Sequence, residues 1–398
     1  MYAASRKTTD RPLVLHFRIC KTTLNAMTNG PRPSSVGLRV KTLRDERRMS
    51  QEQLSRSIGF KDRQTLAAIE AGERRIAPDE LATAARALGV TVDVLTDPYR
   101  LVGEGRFSFR AEAVEGGVLD AFQERAGRWI ATYRQLERDR GAESNWLALK
   151  LDLTIRSSFE EAQESAEQLV RAWDLGATPA ERLPMEIHRK LGALVLYVDA
   201  PAGVSGAASL VPGLSTILVN RQEPRGRRSF DLAHELFHIL TWDAMPPERV
   251  EPWDPKRSKG NRAELLANNF AASLLMPAES VMKHWDERGG ADVLDWLNAV
   301  ATTFGVSAVA LMWRIHNTRL LGNADVEAII RERLVANGDP EVATERPRLF
   351  SQEFVIRVHE AVEEGRLSLR RAASLLDLPV RTLASVFTEY GLPLSYDV

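Results

Sequence analysis

Two histidines and a glutamate stand close together on one predicted helix. The segment Arg228–Leu240 contains the order His234-Glu235-x-x-His238. Side chains four positions apart project from the same face of a helix, so both imidazoles can bind one zinc ion. Glu235 lies beside them, where it can accept a proton from a water molecule at the metal. The spacing therefore predicts a metal site with its own general base.

The remainder of this helix is mostly apolar, which predicts that it is buried. Four polar side chains between residues 230 and 240 interrupt the apolar surface at three- and four-residue intervals: Asp231, His234, Glu235 and His238. Burial of such groups without partners is costly, so a bound metal ion is the economical explanation. An internal hydrogen-bonded network without metal is the alternative. We expect Asp231 to support the ligands.

A catalytic zinc ion usually has three protein ligands, so one more donor is needed. We expect it to be Glu264, which begins a second apolar helix. Asn268 follows four residues later on the same face and could donate a hydrogen bond to a ligand. Three rival third ligands lie in polar loops, where solvated side chains are the ordinary interpretation: Asp243, Asp254 and His284.

The two helices together resemble the ImmA/IrrE family of bacterial metallopeptidases. The resemblance rests on His234-Glu-Leu-Phe-His238 and on Glu264-Leu-Leu-Ala-Asn-Asn-Phe-Ala-Ala-Ser-Leu-Leu-Met-Pro277, and it spans roughly 185–320. It implies a thermolysin-like, gluzincin-type zinc site with His234, His238 and Glu264 as ligands and Glu235 as base. Mn²⁺ or Fe²⁺ can also bind such a donor set. Members of the family cleave helix-turn-helix repressors, which makes such a repressor the expected substrate.

A small sheet is predicted ahead of the metal-binding helix. β-branched and aliphatic runs at Ala193–Val198 and at 216–219 are separated by turns rich in glycine and proline. We expect the second run to bind an extended substrate as an added strand. Its residues are Thr216, Ile217, Leu218 and Val219. Helices are predicted at 229–241, 261–276 and roughly 290–316.

Short helical patterns that end at glycines predict a five-helix bundle over residues 36–98. Ser50 followed by Gln53 is typical of a capping box. The runs Ser50-Gln-Glu-Gln-Leu54 and Ile69-Glu-Ala-Gly72 resemble the XRE/Cro family of helix-turn-helix proteins. That resemblance implies a recognition helix that begins near Asp62, which can cap it.

The expected DNA contacts follow from the same resemblance. They are Gln51, Lys61, Arg63, Gln64 and Thr65. Operator DNA is then a partner, and reading two half-sites requires a homodimer or a partner repressor. The alternative is a module of the same fold that binds only protein.

Composition limits the other classes of function. The chain has 398 residues, with 53 Lys and Arg against 54 Asp and Glu, so no global charge favours nucleic acid or membrane. The single cysteine, Cys20, excludes an internal disulfide framework and a thiolate zinc cluster. Because no apolar run has the length of a membrane helix, we expect a cytoplasmic protein without a membrane partner.

The patterns predict a mainly α chain with a small β-sheet, that is, an α+β fold. We divide it into a disordered basic tail (1–35), a helix-turn-helix domain (36–98), a helical connector (99–184), a zincin-like peptidase domain (185–320) and a C-terminal helical segment (321–398). Alternatively, translation starts at Met27, and the residues before it are an error in the assigned gene start. The C-terminal segment contains a second pattern that resembles a helix-turn-helix. We favour a packing or oligomerisation role for this segment.

The leading hypothesis is a DNA-binding regulator with site-specific zinc endopeptidase activity. The runner-up is a transcriptional regulator or antitoxin whose zinc site is structural or a switch, with little proteolysis. A general degradative peptidase ranks last, because fusion to a DNA-binding module does not serve that role.

Overall fold

The computed structural model describes residues 35–141, 149–251, 261–329, 333–335 and 346–395. Within these ranges the chain is mainly helical and contains one five-stranded mixed sheet, which confirms the α+β prediction. The tail predicted over 1–35 lies outside the described residues except at its last position. The rival ligand Asp254 also lies outside them.

Five helices form the N-terminal bundle, as predicted. They are α1 (Ser35–Glu46), α2 (Gln51–Ile58), α3 (Arg63–Ala71), α4 (Pro78–Ala87) and α5 (Val92–Thr96). Their apolar sides meet in a core that contains Val40, Leu54, Leu66, Leu88 and Leu95. The bundle therefore has a hydrophobic core of its own.

Local capping determines where α2 and α3 begin and end. The Ser50 hydroxyl accepts a hydrogen bond from the backbone N–H of Gln53, and the Gln53 side chain accepts one from the Ser50 N–H. This reciprocal pair is the predicted capping box. Asp62 caps the first turn of α3, as predicted. The two helices end at Gly59 and Gly72, whose φ angles are 91° and 78°. Glycine adopts this left-handed conformation without a Cβ clash.

The sheet brings together strands that are far apart in the sequence. They are β1 (Arg106–Ala111), β2 (Leu194–Val198), β3 (Val204–Val211), β4 (Leu214–Asn220) and β5 (Val250–Glu251), in the spatial order β2-β4-β3-β1-β5. β3 pairs antiparallel with both β1 and β4, whereas β2 with β4 and β1 with β5 are parallel.

Strand β1 corrects the prediction that residues 99–184 form a purely helical connector. Phe107, Phe109 and Ala111 alternate with polar residues, a period of two that indicates a strand. β1 pairs with β3 along its whole length. The connector and the predicted peptidase region therefore share one sheet.

Helices cover both faces of this sheet. One face carries α6 (Gly116–Asp139) and the C-terminal helices α15 (Gln352–Glu363), α16 (Leu369–Leu376) and α17 (Val380–Glu389). The other carries α7 (Phe159–Ala172), α9 (Arg225–Thr241) and α10 (Arg262–Leu275). Successive side chains of a strand point to opposite faces. Leu194 and Leu196 accordingly enter the first core, and Val195 enters the second.

The other helices extend the second layer. They are α8 (Leu183–Leu191), α11 (Ala278–Asp286), α12 (Val293–Phe304), α13 (Ala308–Asn317) and α14 (Asn323–Ala328), with a 3₁₀ turn at Pro179–Glu181. The single helix predicted at roughly 290–316 is thus two helices, because Gly305 ends α12 with a φ of 64°. In the described part of the chain no single helix is long and apolar enough to cross a membrane. α12 and α13 pass that test only as a pair bent by 103°.

A buried charge cluster joins the N-terminal bundle to α6. The Glu104 carboxylate accepts a hydrogen bond from Arg39 of α1 at 2.9 Å and also pairs with Arg134 of α6. Neighbouring Gly103 has a φ of 67°, and a Cβ there would lie 2.1 Å from the Thr42 side chain. The close approach of α1 to the loop before β1 therefore requires glycine at this position.

Candidate metal centre

Helix α9 places the two histidines as the sequence pattern predicts. The Nε2 atoms of His234 and His238 lie 3.0 Å apart, and both residues are fully buried. Their ring centroids are separated by 4.8 Å. One helix thus presents two imidazole nitrogens to a single point in the interior.

Helix α10 brings Glu264 to the same point. Glu264 Oε2 lies 3.2 Å from His234 Nε2, and Oε1 lies 3.1 Å from His238 Nε2. The two helices approach closely where α10 has small buried residues, Ala267 and Ala271. The predicted third ligand therefore joins both histidines.

A fourth donor, Glu251 of β5, was not predicted. Its Oε2 lies 3.3 Å from His238 Nε2, and its side chain is 4% exposed. The four ligand atoms, one from each of His234, His238, Glu251 and Glu264, all lie within 4.8 Å of one another. We call these four residues the metal cluster. Val250 and Glu251 sit in a short polar stretch whose pairing with β1 is not encoded locally, so local periodicity gives no signal for it.

The described rival ligands lie elsewhere. Asp243 forms an ion pair with Lys150 in which both side chains are largely exposed. His284 hydrogen-bonds through Nδ1 to the carbonyl of Ser280 and packs against Phe304. Neither of these residues joins the metal cluster.

Asn268 supports His234, but as an acceptor and not as the predicted donor. The Asn268 Oδ1 atom lies 3.0 Å from His234 Nδ1 and accepts its hydrogen bond. A proton on Nδ1 leaves the lone pair of the neutral ring on Nε2. The contact therefore selects the tautomer that presents His234 Nε2 to the metal cluster.

Asp231 acts through arginine. Its carboxylate pairs with Arg110 of β1 at 3.0 Å and with Arg227 at 3.4 Å, and Asp231 is only 1% exposed. Burial has the largest effect on the pKa of both His234 and Glu235; the Arg110 charge adds to the lowering at His234 and opposes the rise at Glu235. Asp231 therefore positions a cation beside the site, and sequence reasoning missed that cation.

Burial governs the protonation of the site. Burial and the nearby Arg110 charge lower the pKa of His234 to about 3, so its ring is neutral at neutral pH. Burial also raises the pKa of Glu235 well above its usual range, and that of Glu251 to about 10 with help from the Glu264 carboxylate.

The donor set fits a divalent cation. Donors about 2.0–2.1 Å from one tetrahedral zinc ion lie roughly 3.4 Å apart. The contacts within the metal cluster run from 3.0 to 3.3 Å. Among the described residues, Glu264 Oε1 and Glu235 Oε2 are buried acceptor atoms without a hydrogen-bond partner. Acceptors outnumber donors at this point, which a bound cation would offset.

Two family models match the chain. Residues 40–95 match the family model of helix-turn-helix domains, and residues 188–316 match the family model of IrrE N-terminal-like domains. The chain joins a helix-turn-helix domain to an IrrE N-terminal-like domain. Both resemblances drawn from the sequence are thereby confirmed. The second match suggests a metallopeptidase and the first suggests DNA binding.

Whole-chain comparisons add little to these matches. No curated protein matches the chain. Apo ComR from S. thermophilus is 14% identical over 89% of this chain and 95% of its own, with a TM-score of 0.15. ComR from S. thermophilus in complex with DNA and its signalling peptide ComS is 12% identical over 90% and 95%, with a TM-score of 0.16. At such scores the likeness supports no conclusion about this chain.

The predicted substrate strand in the IrrE N-terminal-like domain is wrong. Thr216, Ile217, Leu218 and Val219 lie in β4, which pairs with β2 on one side and β3 on the other. Both edges of β4 are therefore occupied, and no substrate can be added to it. Edge strands alone have free backbone groups. The strand edge near the metal cluster at which a substrate could be added is that of β1, and β5 covers it.

In the helix-turn-helix domain the predicted DNA contacts fall into two groups. Lys61, Arg63 and Gln64 are exposed at the start of α3. Gln51 donates a hydrogen bond to Glu70 at 2.8 Å, and the Thr65 hydroxyl donates one to the capping Asp62. Because Gln51 and Thr65 have protein partners, the first three side chains are the ones presented to a ligand.

Proposed function

We propose that this protein is a DNA-binding regulator with zinc endopeptidase activity, and that it cleaves a helix-turn-helix repressor in the cytoplasm. The observation that carries the proposal is the convergence of His234, His238 and Glu264 on one buried point, with Glu235 on the same helix. A structural zinc site does not need a buried carboxylate as a base. Zinc is the expected ion, and Mn²⁺ or Fe²⁺ also suits these donors.

The ligands are prepared by their surroundings. Asn268 holds His234 in the tautomer whose Nε2 faces inward, and burial keeps that ring neutral. Glu264 faces both imidazoles from the opposing helix. When bound, zinc supplies a Lewis acid that polarises a peptide carbonyl and acidifies water.

The surroundings of Glu235 support its proposed role as the base. The backbone N–H of Ala208 in β3 donates a hydrogen bond to its carboxylate, while Oε2 has no partner among the described residues. Burial raises the pKa of Glu235, which makes it a stronger base than an exposed glutamate. The Arg110 charge opposes part of that rise.

The fusion explains how a peptidase would find its substrate. Lys61, Arg63 and Gln64 at the start of α3 are suited to contact operator DNA, where arginine and glutamine read base edges and lysine binds phosphate. Binding two half-sites would require a homodimer. A repressor bound at the same operator would then lie close to the peptidase.

The test incubates the full chain with helix-turn-helix repressor proteins, beginning with any that is encoded near its gene. Wild type should cleave the repressor, as followed by gel electrophoresis and mass spectrometry, and a chelator should stop cleavage. Glu235→Gln should retain zinc but lose at least a hundredfold in rate, because only the base is removed. His238→Ala should lose both zinc and cleavage. Cleavage by Glu235→Gln at the wild-type rate would disprove the mechanism.

Glu251 favours a second candidate function. Structural zinc sites have four protein ligands, and the metal cluster supplies four. In that case the protein is a transcriptional regulator or antitoxin in which zinc stabilises the fold or switches DNA binding. Operator binding that depends on zinc, with no cleavage by any variant, would support this second function over the first.

A further inference from the structure

Strand β5 is a very short strand at the sheet edge next to the metal cluster. It has two residues, which pair in parallel with β1 at Phe109↔Val250 and Arg110↔Glu251. The Phe109 N–H donates a hydrogen bond to the carbonyl of Arg249 at 2.8 Å. β5 thus binds the edge of β1 as an added peptide strand would.

In the segment Arg249–Glu251, only the Glu251 side chain enters the protein interior. Val250 is 41% exposed and the Arg249 side chain is 50% exposed, whereas the Glu251 side chain is 4% exposed. The Glu248 N–H donates a hydrogen bond to Glu251 Oε1 at 3.1 Å, and Oε2 faces His238. A surface segment therefore inserts a single carboxylate into the metal cluster.

A surface ion pair holds the segment in place. The Arg249 guanidinium pairs with Asp120 and donates a hydrogen bond to Gln123 Oε1 at 3.1 Å, and both partners belong to α6. Exposed pairs of this kind contribute little free energy. Apart from Glu251, the described contacts that fix the segment are therefore its pairing with β1 and this exposed pair.

We propose that the segment Arg249–Glu251 is an intramolecular inhibitor that covers the substrate-binding edge of β1 and fills the fourth metal position with the Glu251 carboxylate. This inference rests on the proposed peptidase function. A catalytic zinc ion needs a ligand position for water, and Glu251 would occupy it. An extended substrate would pair with β1 only after the segment leaves that edge.

The first experiment compares Glu251→Ala with Glu248→Gln in the full chain. Glu248 is exposed, and its substitution removes one nearby carboxylate while leaving the backbone N–H that contacts Glu251. Zn²⁺ affinity is measured by competition with a chromophoric chelator, and ligand number by the visible absorption of the Co²⁺-loaded protein. Glu251→Ala should bind Zn²⁺ at least tenfold more weakly, change the Co²⁺ spectrum and cleave the repressor faster. Glu248→Gln should match wild type in all three.

The second experiment releases the segment without removing the ligand. Arg249→Ala should speed hydrogen exchange at the Phe109 amide and raise cleavage, with a smaller loss of Zn²⁺ affinity than Glu251→Ala shows. Unchanged Zn²⁺ affinity and Co²⁺ spectrum in Glu251→Ala would overturn the inference. So would weaker binding with no gain in cleavage while wild type cleaves. If no variant cleaves but Glu251→Ala still binds Zn²⁺ more weakly, the peptidase function fails and inhibition fails with it, while Glu251 remains a ligand.

Discussion

Replacement of Asn268 by alanine tests whether the interior of α10 prepares His234 for metal binding. In the native protein Asn268 Oδ1 accepts the His234 Nδ1 hydrogen bond at 3.0 Å, and the ring is fully buried. Without that acceptor the ring loses its preferred tautomer and retains an unpaired buried donor. Loss of a histidine's supporting partner typically lowers metal affinity by 10- to 100-fold, which corresponds to about 1.4–2.7 kcal/mol. The complete burial of His234 favours the upper end of that range.

The neighbouring Asn269 provides a matched control. Its amide donates to the Leu265 carbonyl at 2.8 Å and accepts from Gln163 at 3.0 Å, away from the metal cluster. Asn269→Ala should therefore lower folding stability by about 1 kcal/mol and leave Zn²⁺ affinity unchanged. Chelator competition on both variants gives the comparison. Equal Zn²⁺ affinities of Asn268→Ala and Asn269→Ala would refute the role assigned to Asn268.

Three further predictions test other parts of the molecule. Asp231→Leu should lower stability by about 3–5 kcal/mol in denaturant titrations with chelator, because Arg110 stays buried without its partner, and adding Arg110→Met should restore most of the loss. Ser50→Ala should cost the bundle about 1 kcal/mol by removing the α2 cap, whereas Ser57→Ala on the same helix should cost less. Zinc binding should release protons at neutral pH, since the pKa of Glu251 is raised to about 10. Calorimetry in buffers of different ionisation enthalpy should show fewer protons for Glu251→Gln, and an equal number would contradict this.

Local sequence patterns were sufficient to predict the metal-binding helices. His234 and His238 share a face because the helical period is fixed, and the apolar surround predicts that α9 is buried. To predict Glu264 as a ligand, it was enough to assume that α9 and α10 pack against each other. Their apolar surfaces indicate this packing. The bundle was predictable for the same reason, since caps such as Ser50 and Asp62 act within three residues.

The missed features all depend on pairing between distant segments. Glu251 reaches the metal cluster because β5 pairs with β1, about 140 residues earlier in the chain. The error over β4 has the same origin, because an interior and an edge strand can have the same apolar sequence when both faces are covered by helices. β1 differs, since the alternation of Phe107, Phe109 and Ala111 with polar residues indicates a strand from the sequence alone.

Strand β1 contributes to the metal site in two ways. Its Arg110 supplies a positive charge that pairs with Asp231, and its edge pairs with β5. Asp231, Glu235, Glu251 and Glu264 place four carboxylates in one buried region, and Arg110 and Arg227 are the cations paired there. Among the described residues, with neutral imidazoles and all four carboxylates ionised, two negative charges remain. Buried charge of that size is tolerated only with protons or a cation. A divalent ion matches the deficit, and loss of Glu251 from the cluster would leave one negative charge fewer at the metal. Departure of β5 would therefore open a coordination position, make the bound ion a stronger Lewis acid and free the edge of β1, all in a single movement.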